Sequence, residues 1–274
     1  MNSSNPTAEK KGGGVITVGY YPRFFSRIFS VWFRHVRVYS QNLLSNGLPP
    51  FLEPLIFLAG IGLGLGRYIQ NMNGIPYLEY LASGLLVTAA MYTSVFECSF
   101  GTFIRLEFDK VYDGMLSAPI TAGNLMVGEI LWAGTKGLFF TFAVVIIVAA
   151  FRILPVTAVL PTPLVGFLTG IMFASMSLLV TSFVNNINHF NFYVSGLISP
   201  MFFFSGVAFP IENLPQSLVW VAEALPLTHA VRLARAFSLN QLAPVHLWDL
   251  LYIIAFSFII GAAAIWRLKR RLID

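Results

Sequence analysis

The sequence predicts an all-α membrane protein with six transmembrane helices, an N-terminal amphipathic interface helix and broken outer helices before the last span. Of its 274 residues, 57% are hydrophobic and 11% are charged, whereas an ordinary soluble domain has about 25% charged residues. No Asp, Glu, Lys or Arg occurs between Arg152 and Glu212, an interval that holds two crossings of about 20 residues each. The apolar runs are continuous, which favours helices over the alternating strands of a membrane β-barrel.

Six apolar segments have lengths that fit a helix crossing a hydrocarbon core of about 30 Å. They lie near residues 48–67, 78–101, 123–151, 158–184, 190–210 and 249–267. Residues 1–20 are polar and predict a flexible tail without a cleavable signal peptide, because no short apolar core precedes a small-residue cleavage site. The predicted transmembrane domain covers residues 46–274.

Between the tail and the first span, residues 21–45 predict an amphipathic helix in the membrane interface. Arg23, Arg27, Arg34 and Arg37 share one polar strip of a helical wheel, and aromatic and aliphatic residues fill the rest. A basic strip beside an aromatic face is typical of a helix whose arginines lie near lipid phosphates. The alternative is a first transmembrane helix with a polar stripe, which this density of arginines disfavours.

The basic residues are unevenly distributed between the two sides of the predicted bundle. With both termini inside, twelve Lys and Arg residues lie on the cytoplasmic side and four on the outer side. The positive-inside rule therefore predicts that both termini are cytoplasmic. Because topology accounts for most of the net charge of +5, we expect no nucleic-acid partner.

The sequence shows no catalytic or metal-binding pattern. Residues 128–136 end in Gly-Thr-Lys, but their spacing does not fit a phosphate-binding loop. The four histidines form no H-E-x-x-H motif, so each is interpreted as an ordinary loop or interface residue rather than a metal ligand. The single cysteine, Cys98, excludes an intramolecular disulfide framework. We expect no enzymatic activity and no metal bound by this chain.

An intramembrane charge network is predicted near the cytoplasmic ends of the first three spans. Its members are Glu53, Glu97, Glu129 and Lys136. We expect Lys136 to pair with Glu129 or Glu97 inside the bundle. An ion-coupled carrier usually keeps its ionisable groups near the midplane, so this location disfavours that class.

Glycines in the first span indicate a packing role. Gly60 with Gly64 and Gly62 with Gly66 form two small-xxx-small pairs in an apolar run. Such pairs favour close packing of membrane helices, which we expect here in preference to nucleotide binding.

The connection between the second and third spans, about residues 103–118, predicts a short cytoplasmic helix. It mixes apolar and charged residues at helical spacing and is followed by Pro119. Such a helix suits docking against another protein, and a solvated connector is the alternative. The candidate docking residues are Arg105, Glu107, Asp109, Lys110, Tyr112, Asp113 and Met115.

The segment after the fifth span, about residues 209–240, predicts broken outer helices. Prolines divide its apolar residues into short pieces. Irregular backbone at membrane depth is tolerated where protein or water covers it, so this segment is expected to dip into the outer leaflet without crossing.

Four stretches, residues 51–66, 96–105, 128–136 and 226–232, carry a family resemblance. Together they resemble the membrane (permease) subunits of type-two ABC exporters, and within these the nodulation lipooligosaccharide exporter permeases. The resemblance covers most of the chain after about residue 40.

The resemblance implies a homodimeric permease in the bacterial cytoplasmic (inner) membrane, with residues 103–118 as its coupling helix. It implies two copies of a separate cytoplasmic ABC ATPase, with ATP and Mg on that partner and no cofactor on this chain. The implied cargo is a glycolipid, a lipid-linked polysaccharide or a similar amphiphile. The alternative function is an ion-coupled secondary transporter.

Aromatic residues are candidates for the cargo route of such a permease, because their rings offer apolar faces to sugar C–H groups. The candidates are Phe190, Phe192, Tyr193, Phe202, Phe203 and Phe204. The alternative for each is an ordinary lipid-facing or core side chain.

The predicted topology can be tested with reporter fusions after Asp274 and within residues 70–76. We expect the two positions to report opposite sides of the membrane, because basic residues concentrate on the side assigned to the termini. Paired alkaline phosphatase and green fluorescent protein fusions at each position measure this. The same side at both positions would contradict the six-span arrangement.

Overall fold

The computed structural model describes residues 23–42 and 48–273, and the predicted tail, residues 1–20, lies outside the described residues. The described chain is built almost entirely of helices. In chain order the α-helices are α1 Phe24–Ser40, α2 Pro49–Phe57, α3 Tyr77–Phe96, α4 Val111–Leu116, α5 Ala122–Ala150, α6 Val156–Val159, α7 Thr162–Thr181, α8 His189–Tyr193, α9 Ser199–Phe204, α10 Gln216–Ala224, α11 Pro226–Ser238 and α12 His246–Ile273.

Wider π-helical turns extend several of these helices. They are Leu58–Leu63 after α2, Glu97–Gly101 and Ile104–Phe108 after α3, and Val194–Ile198 between α8 and α9. The α-helical turn Gly64–Gly66 completes the first of these extensions, and the 3₁₀ turn Ile211–Asn213 precedes α10. The helices that follow one another in this way form longer rods than the individual α-helices.

Four helical rods in the described part of the chain are long and apolar enough to cross a membrane. They are Tyr77–Phe108, Ala122–Ala150, Val156–Thr181 and His246–Leu272. The chain is therefore an all-α membrane protein with several apolar helices. The other two predicted spans coincide with shorter helical segments, residues 49–66 and 189–204.

A short hairpin joins the first of these segments to α3. Its strands, β1 Asn71–Met72 and β2 Ile75–Pro76, pair antiparallel with Met72 opposite Ile75. The turn residues Asn73 and Gly74 both have positive φ, 53° and 78°. Asn-Gly is the sequence that favours this two-residue turn, because both residues tolerate the left-handed region.

Helix α1 packs one stripe of its surface against the rest of the chain. Ile28, Val31 and His35 are buried along this stripe, at the spacing of residues that share one helical face. A Cβ at Gly128 of α5 would lie only 2.6 Å from the Cβ of Val31. The glycine therefore lets α1 and α5 approach closely, whereas the placement of α1 in the membrane interface stays a prediction.

The long helices α5 and α7 cross with their backbones in close contact. A Cβ on Gly137 would lie 2.6 Å from the carbonyl oxygen of Gly166, and a Cβ on Gly170 would lie 2.9 Å from that of Ala133. Backbone atoms cannot rotate away as a side chain does, so these positions require glycine. Small residues allow membrane helices to gain van der Waals contact at such crossings.

The packing role predicted for the glycines of the first span is met within the described chain by Gly62 and not by Gly60 or Gly64. Apart from the backbone of their own helix, no described atom lies within 4 Å of a Cβ built on Gly60 or Gly64. Gly62 does meet Leu78, whose side chain would lie 2.6 Å from its Cβ. The small-xxx-small pattern alone does not reveal which helix has a partner.

Substituting Gly137→Ala should destabilise the protein, whereas Gly196→Ala, at an exposed helical position, should not. Both changes raise helix propensity equally, but only the first places a methyl group against the backbone of α7. We expect a loss of about 1–3 kcal/mol for Gly137→Ala, as for other overpacked cores. Thermal unfolding in detergent measures the difference, and equal melting temperatures would contradict the close crossing.

Candidate functional site

A polar network joins four helical segments at one end of the bundle, here called the Arg105 end. Its members, called the Glu129 network, are His35 of α1, Glu97 and Arg105 of the α3 extension, Tyr112 of α4, and Glu129 and Lys136 of α5. Charged groups inside a membrane protein are costly unless they pair. The number of connections made here indicates that the network positions these helices relative to one another.

Glu129 is the centre of the network and is fully buried. Its Oε2 accepts a hydrogen bond of 2.8 Å from Arg105 Nη2, and its Oε1 accepts one of 2.8 Å from the Tyr112 hydroxyl. Nε2 of His35 lies 2.9 Å from the same Oε1. One carboxylate therefore connects α5 to α1, to the α3 extension and to α4.

Glu97 forms the second anionic position of the network. Its Oε1 accepts from Arg105 Nη1 and its Oε2 from Lys136 Nζ, both at 2.8 Å. The structure thus joins Lys136 to Glu97, one of the two partners expected from the sequence. The Lys136 ammonium also lies 5.3 Å from the centre of the Tyr39 ring, a distance at which the ring attracts a cation.

Gly101 makes room for the central cation. A Cβ at this position would lie 3.3 Å from Arg105 Nη1. The glycine falls in one of the two π-helical segments of the α3 extension, and π-helical turns occur frequently at functional sites. The absence of a side chain at Gly101 therefore leaves room for the Arg105 guanidinium between the carboxylates of Glu97 and Glu129.

The network has two carboxylates and two permanent cations, so its charges balance when His35 is neutral. The ligand atoms of His35, Glu97 and Glu129 lie within 4.8 Å of one another, which is close enough for a metal site. Three of their carboxylate oxygens, however, already accept charged hydrogen bonds from Arg105 or Lys136. A metal ion would have to displace these groups. The side chain of Glu53, also expected in the network, lies outside the described residues.

The predicted docking segment divides into an inward and an outward set of residues. Tyr112 is buried and Arg105 is mostly buried in the Glu129 network, so the expectation that both contact a partner directly is not matched by their position. Asp109, Lys110 and Asp113 are exposed, and Glu107 and Met115 are partly exposed. The outward set has the composition of a docking surface, and the inward set holds that surface on the bundle.

Tyr112 attaches α4 to the bundle through its phenol group, which contacts Glu129. Burial, together with the adjacent Glu129 carboxylate, raises the pKa of the Tyr112 phenol. The phenol therefore stays protonated at neutral pH and donates a hydrogen bond to Glu129.

The docking segment, residues 103–118, is also fixed to the last long helix, α12, through Glu107. Glu107 Oε1 accepts a hydrogen bond of 2.8 Å from Arg271 Nη2. The other end of the same guanidinium, Nη1, donates to the carbonyl oxygens of Thr181 and Val184 at 2.8 Å and 2.7 Å. Arg271 therefore joins α12, the end of α7 and the docking segment.

The aromatic residues predicted for a cargo route do not meet in one place. Phe190 is buried against Phe100, with ring centres 5.1 Å apart, and the Tyr193 hydroxyl lies 2.9 Å from Ser177 Oγ. Phe192 is 78% exposed, and Phe204 is partly exposed. These four residues pack or face outward separately.

Phe202 and Phe203 do line a common cavity of about 230 Å³ between the first helical segment, α3 and α9. A second cavity of about 290 Å³ includes Lys136 and Phe140. The two cavities share Ala89 and Tyr92 of α3. Together they follow one face of α3 from an aromatic region to the Glu129 network.

A second polar cluster lies at the opposite end of the bundle, here called the Arg235 end. Asp249 Oδ1 accepts from Arg232 Nη1 at 3.2 Å and lies 2.7 Å from His229 Nδ1. Arg232 also pairs with Glu223 at 2.5 Å. These contacts fix the broken helices α10 and α11 to the first turn of α12.

Two of these positions correct the interpretation of the histidines. His35 and His229 are not ordinary loop or interface residues, because each contacts a buried carboxylate. The sequence does contain an indication that His35 is buried, because it continues the helical spacing of the apolar residues Ile28 and Val31, which are buried as well. His229 lies in residues 226–232, one of the stretches that carry the family resemblance.

The sequence profile described as ABC-2 type transporter matches residues 26–239 of the chain. The chain belongs to the ABC-2 type transporter family. The match includes α1, the docking segment and α11, and thus most of both polar clusters. As a family of transporter permeases, ABC-2 proteins are non-catalytic membrane subunits that normally work with an ATPase.

Individual ABC-2 relatives agree with this assignment. Nodulation protein J of Rhizobium leguminosarum bv. viciae is 33% identical over 246 residues, which cover 89% of this chain and 94% of the relative. Nodulation protein J of Azorhizobium caulinodans is 31% identical over 84% of this chain and 92% of its own length. The inner membrane transport permease YadH of Escherichia coli is 20% identical over 74% of this chain and 78% of its own.

Replacing Glu129→Gln should destabilise this ABC-2 permease strongly. The substitution keeps the shape of the side chain but removes the fully buried one of the two carboxylates that pair with Arg105, a change that typically costs about 3–5 kcal/mol. Thermal unfolding of the purified protein measures the loss.

The matched control is Glu107→Gln, which makes the same chemical change at a partly exposed ion pair. We expect a loss of at most about 1 kcal/mol there, because solvent screens such pairs. Similar losses for both variants would show that Glu129 is not the central connection.

Proposed function

We propose that this permease is the membrane subunit of an ATP-driven exporter of a glycolipid or similar amphiphile, and that it works with a separate cytoplasmic ATPase. The observation that carries the proposal is that α4 and the two residues before it have one exposed, charged side and one buried, anchored side. The exposed side offers Asp109, Lys110 and Asp113, and the buried side is fixed to Glu129 through Tyr112. A solvated connector needs no such anchor.

The anchor provides a path for movement. A force on α4 reaches α5 through Tyr112 and Glu129, and reaches α1 through His35. The same force reaches α12 through Glu107 and Arg271. Closure of two ATPase subunits would therefore act on several membrane helices at once, as expected of a rigid, packed element.

Six spans with both termini in the cytoplasm account best for the two shorter helical segments. Residues 49–66 and 189–204 reach about 27 Å and 24 Å at 1.5 Å per residue. Local thinning of the bilayer accommodates spans of this length. This arrangement places the Arg105 end, with α4, on the cytoplasmic side where an ATPase acts.

A second copy of the chain completes the proposed transporter. The first helical segment, residues 49–66, exposes Gly60 and Gly64, where no other helix of the described chain lies within 4 Å of an added Cβ. Small exposed residues permit the close approach of a helix from another subunit. The homodimer implied by the family resemblance would supply that helix.

The two neighbouring cavities along α3 are the proposed route for the cargo. Phe202, Phe203 and Tyr92 offer aromatic and apolar surface, whereas Lys136 and Thr93 offer polar groups further along the same face. An amphiphile with a sugar head needs both kinds of surface. The resemblance of the sequence to the nodulation lipooligosaccharide exporter permeases supports a cargo of this class.

The geometry supports ATP rather than an ion gradient as the energy source. Glu97, Glu129, Arg105 and Lys136 are paired with one another. A carrier driven by protons or sodium needs an ionisable site that binds and releases its ion in each cycle. The network has the tight pairing of a structural connection instead.

Reversing charge at Asp109→Lys and Asp113→Lys together should weaken co-purification with the ATPase at least about tenfold, because like or unpaired charges at an interface cost several kcal/mol. The permease should keep its melting temperature, since both residues are exposed. Quantitative pull-down of the ATPase encoded with the permease, together with cargo-stimulated ATP hydrolysis, measures the effect.

A matched pair of variants controls for net charge. Asp109→Asn with Asp113→Asn raises the net charge by two, as does Asn213→Lys with Gln216→Lys at the other end of the bundle, where both residues are exposed. Only the first pair should weaken association. Intact association and transport after the double reversal would make residues 103–118 a solvated connector.

A further inference from the structure

A cavity of about 330 Å³ opens at the Arg235 end, away from the Glu129 network. The turn of the hairpin, the loop after α9 and helix α11 surround it through Asn73, Gly206 and Arg235. Tyr80 also lines the cavity. On the same helical rod, Tyr80 and Glu97 are about 26 Å apart at a rise of 1.5 Å per residue. The cavity is therefore separate from the proposed coupling machinery.

Arg235 brings a positive charge to this cavity without a direct counter-charge. Its guanidinium donates to Ser83 Oγ at 3.0 Å, to the Tyr80 hydroxyl at 3.1 Å and to the carbonyl oxygen of Gly206 at 2.9 Å. It also lies 3.7 Å from the centre of the Tyr80 ring. All these partners are uncharged, and Nη1 has a second N–H group with no acceptor among the described residues.

Ser205 supplies an unused hydrogen-bonding group in the wall of the same cavity. The residue is 1% exposed, and its Oγ has no hydrogen-bond partner among the described residues. Leaving a buried hydroxyl unpaired is costly, and most buried polar side chains in proteins have a partner. An unpaired hydroxyl beside an arginine that lacks a counter-ion indicates a missing acceptor.

None of the neighbouring charged groups forms an ion pair with Arg235 among the described residues. Arg232 lines the cavity but is paired with Glu223 and Asp249. Glu212 also lines it, yet this exposed carboxylate forms no ion pair with Arg235 in the described structure. His246 is engaged with the backbone of Ala243.

We propose that this cavity binds an oxyanion of the phosphate class through Arg235 and Ser205. A phosphate oxygen accepts hydrogen bonds from both a guanidinium and a hydroxyl, and such charge-assisted bonds are stronger than neutral ones. The ligand is either free inorganic phosphate or the phosphate of an anionic phospholipid headgroup. This inference goes beyond the proposed function and does not depend on an ATPase or on the identity of the cargo.

The test uses the full chain in two kinds of nanodisc. In phosphatidylcholine discs, inorganic phosphate is titrated by isothermal calorimetry at constant ionic strength, with chloride as the comparison anion. In discs that also contain phosphatidylglycerol, native mass spectrometry counts the anionic lipids that remain bound. The first arm detects free phosphate and the second detects a headgroup.

Glu212→Gln is the most informative variant, because it removes a competing negative charge from an exposed position. We expect it to tighten binding about 3-fold to 10-fold, whereas the matched change Glu79→Gln, outside the cavity, leaves binding unchanged. Ser205→Ala should weaken binding about 3-fold or more by removing one donor. Neither change removes the contacts of Arg235 with α3.

Arg235→Gln should abolish binding, and Arg67→Gln, which removes an exposed arginine outside the cavity, should not. Phosphate binding with this pattern of variants supports the proposal for the free anion. Selective retention of phosphatidylglycerol with the same pattern supports it for a headgroup. Binding in neither arm, or binding that Glu212→Gln and Ser205→Ala leave unchanged, overturns it.

Discussion

The hydrogen bonds of one buried carboxylate hold the Arg105 end of this protein together. Glu129 accepts from Arg105 and Tyr112 and contacts His35, so α1, α4, α5 and the α3 extension meet at two oxygen atoms. A carboxylate can accept several bonds at once, which neutral side chains of similar size do not do as strongly. This arrangement fixes α4 in a defined position while leaving its charged side exposed.

The two ends of the bundle use arginine for different purposes. At the Arg105 end the guanidinium bridges two carboxylates, and the bridge is part of a balanced set of charges. At the other end Arg235 contacts only uncharged groups and connects α11 to α3. The first arrangement is complete within the described chain, whereas the second leaves the guanidinium of Arg235 without an ion pair beside an open cavity.

Sequence patterns predicted the elements of this fold better than their contacts. The apolar runs located the long rods, because crossing a bilayer imposes a length and a composition that one segment must satisfy by itself. Gly137 and Gly166 were not singled out, since a close crossing depends on which helices become neighbours. For Lys136, positions along the predicted spans indicated two acceptors, Glu97 and Glu129, and in the structure Lys136 pairs with Glu97.

The candidate site was predicted less completely than the fold. The charged composition around residues 105–113 indicated a docking helix, but it did not show that Tyr112 and Arg105 point into the bundle. That distinction depends on the position of Glu129, which is distant in sequence. The proposed roles of Arg235 and Ser205 depend on the missing ion pair of Arg235 and on the buried, unpaired hydroxyl of Ser205. Residue type alone shows neither property.

The crossed pairing in the Glu129 network also affects how the protein enters the membrane. The α3 rod contributes Glu97 and Arg105, and α5 contributes Glu129 and Lys136, so each rod brings one acid and one base to the network. An unpaired charge costs up to about 2.5–3.5 kcal/mol on insertion scales, the full cost applying at the centre of the bilayer. The two rods follow each other closely in the chain, so insertion as a helical hairpin would bring these charges into the membrane already paired.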